Sequence, residues 1–272
     1  MVRSEYAPLS AALQTKVVCF WTLEASAEAY HGRNGRRQIA PDSYVDVIFQ
    51  LGAPLYLVDD TGGRIRLPSV FVKHLQMKPL ELYSDGDCQL FGIRLYPWGL
   101  SSLIAGRLQA FHTGISSLDE QWQQLANTVA RLWHQGKLLD VINLLEGVLI
   151  KQLYSTGEVR NDTGLIHAVG QDFYQLGAAT SIERMAATYH YSQSQLERRF
   201  QQSIGLTPKT FSRLVRFERV RDQLTMKPEH PLTALAYDYG FSDQSHLIRD
   251  FRQFARMTPG AFAAEIKSAW RV

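Results

Sequence analysis

A segment that occurs twice, at residues 185–211 and again at 235–262, limits what this 272-residue chain can fold into more than any other feature. The first copy reads MAATYHYSQSQLERRFQQSIGLTPKTF and the second LAYDYGFSDQSHLIRDFRQFARMTPGAF. Ala186/Ala236, Tyr189/Tyr239 and Ser192/Ser242 align at an offset of 50 residues. From Leu196/Leu247 onward, through Arg198/Arg249, Phe200/Phe251, Thr207/Thr258, Pro208/Pro259 and Phe211/Phe262, the offset is 51. One residue is therefore inserted where the second helix of the second copy begins. Each copy reads as helix, tight turn, helix, and two copies make a duplicated module rather than a solenoid.

Within the first copy, Ser192 is placed to cap the second helix, and Gln195 three positions on completes a capping box. At 100° per residue Leu196 and Phe200 share one face, with Ser194, Arg198 and Gln201 opposite and Gln195 and Gln202 on the flank. In the second copy Leu247 and Phe251 point inward, and Ser245, Arg249 and Arg252 point outward. Arg can bond guanine bidentately and Gln can do the same to adenine, so these outward faces suit base edges. Gly240 supplies the positive φ that the turn needs, and His190 takes that place in the first copy at a modest cost. Thr207-Pro208 and Thr258-Pro259 are each a cap followed by proline at the first helical position, so a further helix starts at each. The apolar spacing of Phe211, Leu214, Val215 and Leu224 predicts a connecting helix from Pro208 to about Met226, roughly 28 Å long. That is close to the ~34 Å between successive major-groove faces on one side of DNA.

The letters YSQSQLERRF…GLTP and GFSDQSHLIRDFRQF…MTP resemble the two helix-turn-helix motifs of the AraC/XylS family of bacterial transcription regulators, over roughly residues 165–262. The resemblance implies a double-stranded DNA partner, with Ser194, Gln195, Arg198, Gln244, Ser245 and Arg249 meeting bases. Arg199, Lys209, Arg216 and Arg252 are expected on phosphates. It also implies RNA polymerase as a partner if the chain is an activator. Two departures stand out: His190 replaces the usual small turn residue, and Arg256 stands where the first copy has Gly205.

The remaining chain reads as a controller. Residues 1–115 are expected to form a β-rich, barrel-like or sandwich domain, from the strand-like runs VVCFWTLEA, YVDVIFQL, PLYLVDD, RIRLPSVFV, LELYS and CQLFGIRLY. With the helices that follow, this gives an α+β chain. Its general shape resembles the cupin-like amino-terminal halves found in the same family, and PDSYVDVIFQLG and FGIRLYPWGL look like a sensor domain fused to such units. Trp21, Tyr44, Phe49, Tyr83 and Trp98 are candidates to line an effector pocket, or alternatively to fill the core. After a short helix at about 100–108, residues 116–155 form a helical pair. In the second helix of the pair, Leu138, Val141, Ile142, Leu145, Val148, Leu149 and Gln152 make a stripe that either packs on the β-domain or forms a homodimer seam within 138–154. The polar stretch STGEVRNDTG, within 155–164, reads as a linker, leaving 165–272 as the DNA-binding domain.

Composition adds limits. From Ile166 onward there are 14 Lys and Arg against 10 Asp and Glu, whereas the first 165 residues carry 15 against 16. The modest positive excess thus lies in the half that carries the repeat. No signal-peptide pattern or long apolar run is present, so the expected location is cytoplasmic, away from the membrane. His31, His74 and His112 are scattered without metal-ligand spacing, and no metal or other cofactor is expected. The turn carrying Arg33, Arg36 and Arg37 is either a solvated loop or a grip for an anion. Cys19 and Cys88 fit no metal spacing and read as reduced, buried thiols rather than a redox pair; they also lack the basic neighbours that activate a thiolate, so a DNA-repair or other enzyme borrowing the module is the weaker alternative. A regulator governed by a protein partner in place of a small ligand is the other alternative.

Overall fold

The computed structural model describes residues 1–28, 37–104, 108–112, 114–155, 161–176 and 182–270. His31, Arg33, Arg36 and linker residues 156–160 lie outside them. The chain divides into two compact units, one of residues 1–39, 44–75 and 80–159, the other of 40–43, 76–79 and 160–272.

The first unit holds eleven described strands: β1 Val2–Tyr6, β2 Val17–Ala25, β3 Arg37–Ile39, β4 Val45–Gln50, β5 Leu55–Val58, β6 Arg64–Arg66, β7 Val70–Lys73, β8 Leu80–Ser84, β9 Cys88–Leu95, β10 Leu108–His112 and β11 Ile115–Leu118. They form a seven-stranded antiparallel sheet in the order β1-β2-β9-β4-β7-β11-β10 and a four-stranded sheet in the order β3-β8-β5-β6. The sheets stay open, so the barrel-like expectation gives way to two layered sheets. Alternation along the strands explains the layering. Val45, Val47 and Phe49 of β4 face a core completed by helices, while Ile48 faces a second core shared with Leu55, Leu57 and Leu82 of the smaller sheet. Both faces of β4 are therefore covered, which is why its sequence is apolar with little alternation.

Helix α1, Gly99–Leu103, is shorter than expected, and residue 108 already belongs to a strand. Helices α2, Glu120–His134, and α3, Leu138–Ser155, close one face of the large sheet. Asp119 caps α2 by accepting from the Trp122 N–H at 3.2 Å. Val141, Ile142, Leu145 and Leu149 are buried in the sheet–helix core, so of the two readings of the α3 stripe it is packing on the β-domain that these residues serve.

Asp46 is the one β4 residue whose burial opposes the apolar pattern, at 1 % exposure. Its Oδ1 accepts from Trp21 Nε1 and from Arg94 Nε, each at 3.0 Å, its Oδ2 accepts from Arg94 Nη2 at 3.1 Å, and Lys73 Nζ lies 3.3 Å away. Burial alone would raise its pKa. The charges of Arg94 and Lys73 and the hydrogen bonds from Arg94 and Trp21 outweigh burial, and hold the carboxyl well below the usual carboxylate range. Beside this cluster, Gly92 lies so close to the Trp21 ring that a β-carbon there would fall 2.0 Å from it.

The two cysteines are buried and free. In the β2/β9 ladder Cys19 pairs with Arg94 and Cys88 with Ala25, at opposite ends, too far apart for a disulfide. Burial, first among the causes, pushes each thiol up to about 11.

The second unit is helical: α4 Asn161–Leu176, α5 Ile182–Thr188, α6 Gln193–Ile204, α7 Pro208–Met226, α8 Leu232–Asp238, α9 Gln244–Ala255 and α10 Pro259–Trp270. Helix α4 begins at Asn161, so residues 161–164 of the expected linker are helical. The unit also includes residues 40–43. Ser43 donates its N–H to Glu218 Oε2 at 3.1 Å and its hydroxyl to the same oxygen, while Tyr174 Oη donates to the Ser43 carbonyl at 2.7 Å. Among the described residues no helix is long and apolar enough to cross a membrane, and no three His, Cys, Asp or Glu side chains gather as a metal site would need.

Asp46→Asn removes the carboxylate faced by two cations and is expected to cost about 3–5 kcal/mol, read from the urea midpoint. The folded carboxyl sits below its unfolded value near 4, so its contribution is complete above that pH and is lost as pH falls through the folded value. The variant should therefore flatten the acid limb of the stability profile. An acid limb equal to that of the wild type would remove Asp46 from this account.

Candidate nucleic-acid interface

The first helix-turn-helix is α5 and α6, joined through His190 at φ 58°, and the second is α8 and α9, joined through Gly240 at φ 69°. The left-handed turn residue is thus present in both copies. Gly205 and Arg256 close α6 and α9, also left-handed, at φ 82° and 56°.

Ser192 caps α6 as its sequence predicts. Its Oγ accepts from the Gln195 N–H at 3.3 Å, and Gln195 Oε1 accepts from the Ser192 N–H at 3.1 Å. The cap of α9 is Asp243 in place of Ser242. Asp243 Oδ1 accepts from the His246 N–H at 2.8 Å, and this bond is the first cause holding the Asp243 carboxyl below its ordinary value. The inserted residue thus shifts the second cap by one position and gives α9 an acidic start, which suits the helix dipole.

Leu196 and Phe200 of α6, and Leu247, Phe251 and Phe254 of α9, are buried. Ser194, Gln195 and Arg198 are exposed on α6, and Gln244, Ser245, Arg249 and Arg252 on α9. Lys209, one residue into α7, is also exposed. The inward faces of both helices rest on α7. Phe211 meets Phe200 at 5.5 Å between ring centroids and Phe173 at 5.7 Å, and Phe217 meets Phe251 at 5.1 Å and Phe254 at 5.0 Å. Thr207 caps α7 at Thr210 N, 3.2 Å, with Pro208 at its first position.

Two of the four residues expected on phosphates have protein partners. Arg216 donates from Nη1 to the Gly240 carbonyl at 2.9 Å and lies over the Phe241 ring at 4.9 Å. Arg199 lies over the Tyr191 ring at 5.1 Å. Each guanidinium therefore braces the turn of a helix-turn-helix.

The sequence reading missed Asp250, which is 3 % exposed on the inner face of α9. Arg213 of α7 grips it through Nη2 at 2.7 Å and Nε at 3.2 Å, and also reaches Gln253 Oε1 at 2.5 Å. The signal was available: an aspartate on the same arc as Leu247, Phe251 and Phe254 needs a cation from another element. His246 was also missed. It occupies in α9 the place of Gln195 in α6.

The aromatic residues proposed for an effector pocket do not converge. Trp21 lies between the sheets and Phe49 in the sheet–helix core. Tyr83 pairs with Tyr56 at 6.2 Å on the smaller sheet. Only Tyr44 and Trp98 are brought together, through Tyr96, which stacks on Trp98 at 4.8 Å and meets Tyr44 at 6.1 Å. A cavity of about 460 Å³ lies elsewhere in the first unit, lined by Gln50, Arg66, Ser69 and Gln123 among others, and by none of the five.

Comparison with known proteins follows this division. Residues 185–265 match a helix-turn-helix domain family, and residues 4–115 match a domain of unknown function, DUF6597. The HTH-type transcriptional regulator MtrA of Neisseria gonorrhoeae is 29% identical over 85 residues, 31% of this chain. The chain therefore carries a helix-turn-helix domain behind a separate amino-terminal domain. The match spans only 28% of the length of MtrA. ToxT from Vibrio cholerae O395 has a similar fold, with a TM-score of 0.50 at 12% identity, covering 91% of this chain and 98% of ToxT. A second ToxT structure, bound to (E)-4-(8-methylnaphthalen-1-yl)but-3-enoic acid, also has a TM-score of 0.50, at 11% identity, covering 91% of this chain and 99% of that one.

His190→Gly should stabilise the protein by about 1 kcal/mol, because an exposed side chain in left-handed backbone carries a steric cost that glycine lacks. Chemical denaturation reads the gain, and a loss of stability would show that the imidazole makes a contact worth more than the strain.

Proposed function

We propose that this regulator binds promoter DNA sequence-specifically by placing α6 and α9 in two successive major grooves on one side of the duplex. The observation that carries the reading is that both helices are seated on α7, a single helix of 19 residues, each with a polar, arginine-bearing face exposed. Arg198 and Arg249 read bases, and Ser194, Gln195, Gln244 and Ser245 add hydrogen bonds. Lys209 and Arg252 hold phosphates, while Arg199 and Arg216 act on the backbone through the turns they brace. The amino-terminal domain sets how this reader engages, in response to a small molecule. That reading is supported by the separate compact unit it forms and by the organic acid bound to ToxT, a protein of similar fold. A regulator of this kind works in the cytoplasm, beside its DNA, and would meet RNA polymerase there if it activates.

Selection of bound sequences from a random DNA pool by the full-length protein tests the proposal. A bipartite site with blocks about one helical turn apart is expected, and no enrichment at all would refute it. Arg198→Ala and Arg249→Ala should each cost about 1–3 kcal/mol of binding and relax preference at one base pair, in different blocks. Equal loss on all sequences would take base reading away from that residue. Lys209→Ala should weaken binding uniformly and lower the salt slope by about one unit.

A further inference from the structure

We infer that Gln195 reads DNA only as a hydrogen-bond donor, and so selects guanine or thymine in place of adenine at the base it meets. The inference rests on the regulator reading above and deepens it by fixing the chemistry of one base position.

A glutamine that recognises adenine uses both ends of its amide, with the oxygen accepting from N6 and the nitrogen donating to N7. In α6 the oxygen is already engaged. Gln195 Oε1 accepts the Ser192 N–H at 3.1 Å, while Ser192 Oγ accepts the Gln195 N–H at 3.3 Å. This reciprocal cap turns the amide oxygen back toward the start of the helix. Turning it out to meet adenine would strip the Ser192 N–H of its acceptor at a helix end, where such donors have no partner within the helix. The gain from the second adenine bond is offset by that loss.

The amide nitrogen is in the opposite situation. It carries two hydrogens, the side chain is exposed, and Nε2 meets no partner among the described residues. What it can find in the major groove is an acceptor. Guanine presents two there, N7 and O6, and thymine presents O4. Adenine offers N7 beside an amino group that faces the second amide hydrogen, and cytosine offers a donor. The expected order has guanine first, thymine next and cytosine last.

The same place in α9 behaves differently. His246 Nδ1 accepts from the Ser242 N–H at 3.4 Å and lies 3.2 Å from Ser242 Oγ, and its Nε2 is 3.7 Å from Asp250 Oδ2. Both ring nitrogens face protein groups, so His246 positions the start of α9 and leaves no donor for a base. Of these two equivalent positions, Gln195 of α6 is the one left with a donor for a base.

The test is selection from a random DNA pool by full-length wild type and by Gln195→Glu, scored column by column. Glutamate keeps an oxygen for the Ser192 N–H, so the capping box survives, but it has no donor to offer. In one column of the α6 block, guanine or thymine should fall and cytosine, whose N4 donates, should rise. The relative preference should shift about two- to tenfold, the worth of one hydrogen bond. The added negative charge weakens binding to every sequence alike, so it does not alter the order of bases. A wild-type column of adenine that changes in the variant would overturn the inference, as would identical base preferences for the two proteins. If the wild type enriches no sequence, the regulator reading itself fails and takes this inference with it, an outcome visible before the variant is examined.

Discussion

The packing of Phe211 and Phe217 into opposite halves of the helical unit is the interaction on which its geometry depends. The two residues stand six positions apart on α7, and at 100° per residue they project in directions about 120° from each other. Phe211 seats α6 and Phe217 seats α9. A rigid helix with one aromatic socket toward each reader fixes the separation and relative rotation of both. Neither reading helix has enough apolar surface to be stable alone, since its opposite face is polar by requirement.

Arg213 adds direction to what the rings supply as adhesion. Ring contacts are tolerant of sliding, whereas a guanidinium bonded to both oxygens of a buried carboxylate is not. The α9 helix is therefore held at a defined rotation, with Asp250 inward and Arg249 outward on adjacent residues. At the α6 seat the register is kept by the aromatic cluster of Phe173, Phe200 and Phe211.

The helical unit was largely legible in the sequence because its signals are local. Ser192 with Gln195, Thr207 with Pro208, and the inward pairs Leu196/Phe200 and Leu247/Phe251 each declare a helix start or face within a few residues. The second cap falls on Asp243, one position past the residue aligned with Ser192, and the 51-residue offset of Leu247 accounts for it, since each cap stands four residues before its inward leucine. In the first unit the six strand-like runs correspond to strands, but β1, β3, β10 and β11 carry no such pattern. β1, β3 and β10 are edge strands and β11 lies next to one. The proposed aromatic pocket failed because strand alternation sends Trp21 and Phe49 to opposite faces of one sheet, and composition alone carries no sense of which face is which.

Gly92 ties backbone and side chain together at a point where neither can change alone. Any β-carbon at that position would enter the Trp21 ring, and the ring cannot retreat without releasing Asp46. Among relatives of this chain, positions 21 and 92 should therefore drift as a pair. A lineage that gains a side chain at 92 must first shrink the one at 21 and find another donor for the buried carboxylate, so the route between the two solutions passes through a poorly folded intermediate.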